Sequence, residues 1–411
     1  MLNAAIELSE KLIAVESLTP THPDTPPEKA ENGLVALKEL MDFAQHAVLQ
    51  QVHVFEGNDA NYPQRVHTLH TVWESNVFTT SRVRLLYIGH VDVVPANPKE
   101  WKSHPFNPTW RDDKLYGRGA VDMKTPVACA YAAIEHFCAH SSLPFEIHAV
   151  ITTDEEYAAL NGVDPVLRTL KKQGLNFDAV LVGEPSNFDI AIGRRGSYNI
   201  KAVVKGLKGH MAYDESYRNA LKRARQIADA LEAIPFETHP DWKAQTKLII
   251  RRIDSDSDST SVVPGKAEVY FNIRFTGNYT PQQLLKMVEK AIRPYRGKGM
   301  KISLQPSQYP QVAYNGMPQG ASDVFVTCLA NAIRRHTGEW PQQTHSGGTS
   351  DGRYVQQYWP GIPVVEFGPL VHTMHQPNEH ISMPHIRLLC TILHTLFETY
   401  FQAYNRPGKD G

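Results

Sequence analysis

Through the first half of the chain, short apolar runs alternate with stretches whose apolar positions recur every three or four residues, which predicts strands alternating with helices. Four runs stand out, at 83–89, 145–151, 178–182 and 362–367, and each leads into a segment carrying a histidine or a glutamate. Between the first two, residues 123–140 read as a helix whose small side chains Ala128, Ala130, Ala132 and Ala133 permit close packing on a sheet. That alternation is the pattern of an α/β domain with a largely parallel sheet. From about Ser197 the order becomes β-α-β-β-α-β, with strands at 198–205, 246–253, 266–275 and 301–304 and helices at 216–234 and 281–292. This is the order of a small ferredoxin-like α+β sandwich. Residues 193–196 and 305–310 read as hinges, and a helix near 322–337 resumes the first pattern. The expected organisation is a domain of residues 1–196 and 307–411 interrupted by an inserted domain of 197–306.

Length agrees with two domains, since 411 residues exceed the ~250–300 at which a single core stops growing. With 42 basic against 43 acidic residues the formal charge is −1, so no field favours nucleic acid. The first twelve residues form an amphipathic pattern rather than a signal peptide, and no run approaches the ~18 apolar residues of a membrane span. Cys129, Cys138, Cys328 and Cys390 are widely spaced, with no CxxC pair. Reduced thiols in a cytoplasmic protein with neither nucleic-acid nor membrane partners are the expectation.

In open α/β sheets, ligands gather beyond the carboxyl ends of the strands. His90, the pair Glu155 and Glu156, Glu184 and His375 are therefore expected to converge, joined by Asp122 as the N-cap of the helix at 123–140. In a chain with 19 histidines any one is ordinarily a surface or packing residue. His90 differs because it follows an apolar strand and has Asp92 at i+2 on the same face, where the carboxylate can hold the imidazole's second N–H. Asp122 offers two oxygens, which suits a bridge between two cations about 3.5–4 Å apart. Glu184 and His90 would complete one ion, Glu156 and His375 the other. Mixed imidazole and carboxylate ligation suits Zn²⁺, with Co²⁺ or Mn²⁺ as substitutes. An acidic turn such as Glu155-Glu156 is by itself ordinarily solvated. Beside these ligands it can divide the labour, Glu156 binding metal while Glu155 accepts the proton of an attacking water and passes it to a leaving amine. The expected chemistry is metal-assisted amide hydrolysis.

Taken in order, Gly89-His90-Val91-Asp92-Val93-Val94-Pro95, Gly117-Arg118-Gly119-Ala120-Val121-Asp122-Met123-Lys124, Asp154-Glu155-Glu156, Gly183-Glu184-Pro185 and Gly347-Gly348-Thr349-Ser350-Asp351-Gly352-Arg353 resemble the dinuclear zinc deacylase and exopeptidase family. The likeness runs from about residue 85 to 385 and is nearest the desuccinylase branch, with the acetylornithine deacetylase branch beside it. It implies a zinc-hydrolase catalytic domain with an inserted lid and dimerisation domain. It also implies two Zn²⁺ ions with the ligand assignment above, Glu155 as general base, and a homodimer in which His210 stabilises the oxyanion in the partner's site. By spacing alone His210 is an ordinary strand-end histidine.

A site with three ligand carboxylates against two divalent ions stays cationic, which favours a small carboxylate-bearing N-acyl amino acid as substrate. Arg194, Arg195 and Arg274 can supply bidentate clamps, and Gly348, Thr349 and Ser350 belong to a loop that contacts substrate in the family. Three departures from the desuccinylase pattern blur the acyl group: Thr260-Ser261 in place of an Asn pair, Asp214 in place of a proline, and Val371 in place of an asparagine. The series Asp254, Asp256 and Asp258 reads as a solvated loop, with a cationic side chain such as ornithine's as the alternative ligand. A deacetylase, a broader aminoacylase or a dipeptidase are the competing activities. A non-catalytic binding relative would have no use for a base beside a full ligand set.

Overall fold

The computed structural model describes residues 1–56, 64–77, 82–157, 159–213, 218–297, 299–307, 309–317 and 323–404. The Asp214 departure and the first residues of the helices expected at 216 and 322 lie outside them. The chain divides into two units, one of Met1–Gly193, Asn315–Thr344 and Ser350–Gly411, the other of Arg194–Tyr314 and His345–Thr349. Each has its own apolar core.

In the first unit, the strands Arg84–His90, Glu146–Thr152, Ala179–Val182 and Val364–Glu366 form the parallel centre of the sheet. Val66–Glu74 and Leu49–Phe55 extend it antiparallel beyond Glu146–Thr152. The centre is buried on both faces, which is why these strands read as unbroken apolar runs. The helix Lys124–His140 buries Ala128, Ala130, Ala132 and Ala133 together and packs against both Leu2–Ala14 and the long C-terminal helix Met383–Tyr404. Helix starts follow their caps. Asp323 accepts the Phe325 N–H at the head of Val324–Thr337, and Gly338 closes that helix in the left-handed region at φ 82°.

The second unit contains the expected β-α-β-β-α-β order. Gly196–Lys205, Lys247–Ser255, Lys266–Phe275 and Lys301–Pro306 make an antiparallel sheet with Lys266–Phe275 and Gly196–Lys205 at its centre, and the helices are Ala220–Glu232 and Pro281–Ile292. The first helix starts at Ala220 because Asn219 caps it, its side chain accepting the Lys222 N–H. Residues 345–349 were expected with the catalytic domain, yet they pack in this unit, where His345 stacks on Trp242 at 4.4 Å. Among the described residues no helix is long and apolar enough to cross a membrane, and the four cysteines form no disulfide.

Candidate metal centre

Four strand ends of the first unit deliver the site. His90 closes its strand almost fully buried, with Nε2 3.1 Å from Asp122 Oδ1 and 3.6 Å from Glu184 Oε1. His375, in the loop after Val364–Glu366, places Nε2 3.3 Å from Asp122 Oδ2 and 2.9 Å from Glu156 Oε2. Each oxygen of Asp122 thus faces a different histidine. Two sets of donors result, His90 with Asp122 and Glu184, and His375 with Asp122 and Glu156, the atoms of each lying within 4.8 Å of one another. Imidazole and carboxylate donors at that spacing, sharing one aspartate, fit a pair of divalent cations.

What holds Asp122 differs from the expectation. It does not cap the helix, which begins at Lys124 after Met123 with no side-chain cap. Its backbone is anchored instead by Glu379, a fully buried carboxylate that accepts the N–H groups of Val121 at 2.8 Å and Asp122 at 3.2 Å while paired with Arg118 Nη1 at 2.6 Å. Glu379 escaped sequence reasoning. Its one signal is a carboxylate four residues beyond a ligand histidine, and nothing local links it to Arg118, 261 positions away.

Asp92 also works otherwise than expected. The Nδ1 of His90 meets the main-chain carbonyl of Asp92 at 3.0 Å and lies 3.6 Å from its carboxylate. The carboxylate accepts the N–H groups of Glu155 and Glu156 and the Thr19 hydroxyl. Behind it, Asp154 accepts the Thr21 hydroxyl at 2.6 Å and the N–H groups of Leu160 and Asn161, which folds the turn after the strand and leaves both glutamates on the site's side.

The electrostatics of this cluster call for cations. Burial, then repulsion from Glu184, raises Glu155 well above the usual carboxylate range, and burial with repulsion from Asp122 pushes Glu156 up to about 7. Burial alone would lower His375, but hydrogen bonds to Asp122 and Glu156 lift it to about 11. So many acids in a low-dielectric pocket are stable only with compensating positive charge, which protons or metal ions can supply. Asp351 adds to the demand: among the described residues neither of its buried oxygens has a hydrogen-bond donor, and Arg353 lies 3.4 Å from one of them.

The expected substrate contacts divide differently from the expectation. Ser350 is fully buried and its hydroxyl donates to Glu366, so its side chain takes no part in an anion cradle. In the second unit, the guanidinium groups of Arg194 and Arg195 lie against Gly348 and Gly347, where an added Cβ would meet them at 2.8 and 3.1 Å. The two glycines are there because guanidinium groups rest on the loop. Arg195 donates to the Gln245 carbonyl, and its buried Nε has no partner among the described residues. Burial, then Arg195, lowers Arg274. Thr349 is half-buried in the same loop. His210 is exposed on a short ladder opposite Val262, its Nδ1 accepting the Ala212 N–H. Two of the acids in the 254–258 series are engaged locally: Asp256 pairs with Lys208 and accepts from Gly265 and Lys266, and Asp254 pairs with Arg252.

A sheet whose parallel strand ends present two imidazoles and two carboxylates around a shared aspartate, with a further glutamate beside them, defines a metal-dependent hydrolase of amide bonds. The chain belongs to Peptidase family M20/M25/M40, whose model matches residues 86–399. It is 32% identical to a succinyl-diaminopimelate desuccinylase of Methylobacterium radiotolerans over 97% of both chains. To the enzyme of that name from Beijerinckia indica it is 36% identical, over 77% of this chain and 82% of the relative. Human carnosine dipeptidase 1 shares the fold at TM-score 0.73 and 18% identity, covering 98% of this chain and 96% of its own. An M20 metallo-carboxypeptidase of Sulfolobus solfataricus matches at TM-score 0.73 and 16% identity, over 97% and 99%.

Proposed function

We propose that the protein removes the succinyl group from an N-succinyl diamino dicarboxylate of the N-succinyl-LL-diaminopimelate type, with two Zn²⁺ ions as cofactor and Co²⁺ or Mn²⁺ as possible substitutes. The observation that carries the substrate is end-to-end similarity to desuccinylases, 32% identity across 97% of both chains. Arg195 supports it, since its buried Nε has no partner among the described residues and a carboxylate of the substrate would supply one.

In this reading His90, Asp122 and Glu184 hold one ion, and His375, Glu156 and Asp122 the other. When bound, the ions polarise the scissile carbonyl and acidify the attacking water. Glu155 takes the proton from that water and returns it to the departing amine. Asp92 fixes both glutamates through their N–H groups, and Glu379 fixes Asp122. Arg194, Arg195, Arg274, Gly348 and Thr349 receive the substrate's carboxylates.

A homodimer through the second unit completes the proposal, with His210 of one copy serving the oxyanion in the other. Supporting it, the strand Lys247–Ser255 is a sheet edge with Ile249 and Ile253 exposed, and Tyr213 beside His210 is 88% exposed. Unpaired edges of this kind invite pairing with a second chain.

The test is an assay of the zinc-loaded protein on N-succinyl-diaminopimelate, N-acetylornithine and dipeptides. The succinyl substrate is expected to lead in kcat/KM by roughly 100-fold or more, because an acetyl group leaves a carboxylate-binding arginine unpaired. A higher kcat/KM for acetylornithine or a dipeptide would overturn the substrate while leaving the reaction intact.

A further inference from the structure

The C-terminal end of the helix Lys124–His140 carries a histidine cluster for which amide hydrolysis has no use. His136 and His140 stand one turn apart, and their rings stack with centroids 4.4 Å apart at an interplanar angle of 25°. His394, on the neighbouring helix Met383–Tyr404, meets His136 edge-on, its Nε2 3.1 Å from His136 Nδ1. Glu398, one turn further along that helix, lies 3.5 Å from His394 Nδ1. His140 Nδ1 is 2.7 Å from the His136 main-chain carbonyl.

These contacts favour one consistent set of tautomers. A carbonyl only accepts, so His140 must donate from Nδ1, which leaves the lone pair on its Nε2. At the other end the Glu398 carboxylate, an ion-pair partner 3.5 Å away, draws the proton of His394 to Nδ1, so that its Nε2 serves as the acceptor. His136 must then donate from Nδ1 to His394, and its own Nε2 is also left with a lone pair. Two imidazoles one helical turn apart therefore present Nε2 as a free ligand, and each has its second nitrogen turned to an acceptor, as in histidines that bind metals. Burial, reinforced by the neighbouring rings, lowers the proton affinity of His136 and keeps it neutral. His140 and His394 border an open cleft of about 410 Å³ together with Ser141, Glu398 and Arg335, which leaves room for water or an anion on the remaining coordination positions.

We propose that His136 and His140 bind one divalent transition-metal ion through their Nε2 atoms, with His394, hydrogen-bonded to His136, and Glu398 beside it as the support. Imidazole pairs of this kind select Cu²⁺, Ni²⁺ and Zn²⁺ over Mg²⁺ and Ca²⁺. The site is separate from the catalytic ligands, and its reality does not depend on the catalytic reading.

Titration of the fully zinc-loaded protein with Ni²⁺ tests it. The wild type should take up one further equivalent per chain. The double variant His136→Gln/His140→Gln should lose that equivalent while keeping kcat/KM and its complement of catalytic metal. Should the double variant fold poorly, His140→Ala alone removes an exposed ligand and should weaken uptake at least tenfold. Glu398→Gln should weaken it by about tenfold by releasing the relay behind His136. Absence of the extra equivalent in the wild type, or uptake unchanged in both His140 variants, would overturn the site.

Discussion

The Asp92 carboxylate receives the main-chain N–H groups of both Glu155, at 3.0 Å, and Glu156, at 3.1 Å. One buried acid therefore sets the position of the proposed base and of a proposed ligand together, while its carbonyl, not its carboxylate, orients His90. Asp92→Ala removes the first function and spares the second. Turnover should fall about 10–100-fold with the His90 metal retained, as for other groups that hold ligands in place. Metal analysis beside kcat decides this. Loss of one metal per chain, matching His90→Ala, would return the carboxylate to the imidazole.

Glu155→Gln should fold, keep its metals and lose about 10²–10⁴-fold in kcat, since only the proton acceptor is gone. If the variant instead loses metal, Glu155 is a ligand; full activity would remove it from the mechanism.

The Glu379–Arg118 pair is buried on both sides, with the carboxylate also holding two N–H groups beside Asp122. Glu379→Ala would leave the guanidinium uncompensated and should cost about 3–5 kcal/mol of stability. Because Asp122 loses its anchor, both metals should also bind more weakly. Thermal unfolding with and without added zinc reads the two effects separately, and a variant with wild-type Tm and metal content would remove Glu379 from its supporting role.

A polar line crosses the sheet through residues outside the candidate metal centre. Arg84 bonds Glu146, Glu146 bonds His148, and His148 meets His70 at 2.9 Å. Burial, then His148 and His53, holds His70 down at about 3, so it stays neutral in the fold while the unfolded chain takes up a proton below 6.5. A depressed folded value means stability present above pH 6.5 and lost as pH falls from 6.5 towards 3, a few kcal/mol in all. His70→Phe should flatten the dependence of unfolding free energy on pH in that window by about one proton per chain. An unchanged slope would mean that His70 is protonated in the fold.

The clustering of the candidate donors was legible because the chemistry dictates residue type and the parallel sheet dictates place: His90, Glu156, Glu184 and His375 all follow apolar runs whose ends must meet. Asp122 was legible as a donor and misread as a cap, since Met123 intervenes before the helix. Glu379, Arg118 and the true role of Asp92 were not legible, because each depends on hydrogen bonds between main chain and side chains brought together only by folding. Ser350 looked like part of a polar loop, and its burial against Glu366 is set by a strand 14 positions further on. The second unit was readable in order but not in extent, as the 345–349 loop joins it through ring stacking and guanidinium contact.

The proposed dimer makes the sharpest demand. If His210 serves the neighbouring copy, His210→Ala and Glu155→Gln chains, each nearly inactive alone, should complement one another after subunit exchange. A mixed dimer contains one site with an intact Glu155 from its own chain and an intact His210 from the other. Random exchange makes about half of the dimers mixed, each with one competent site of two, so activity should rise towards roughly a quarter of the wild-type value. Substituting the exposed edge residues Ile249 and Ile253 by lysine should yield monomers and abolish the recovery. Exchange demonstrated by mass with no gain in rate would place His210 in its own subunit's service, and a fully active monomer would remove the dimer from the mechanism.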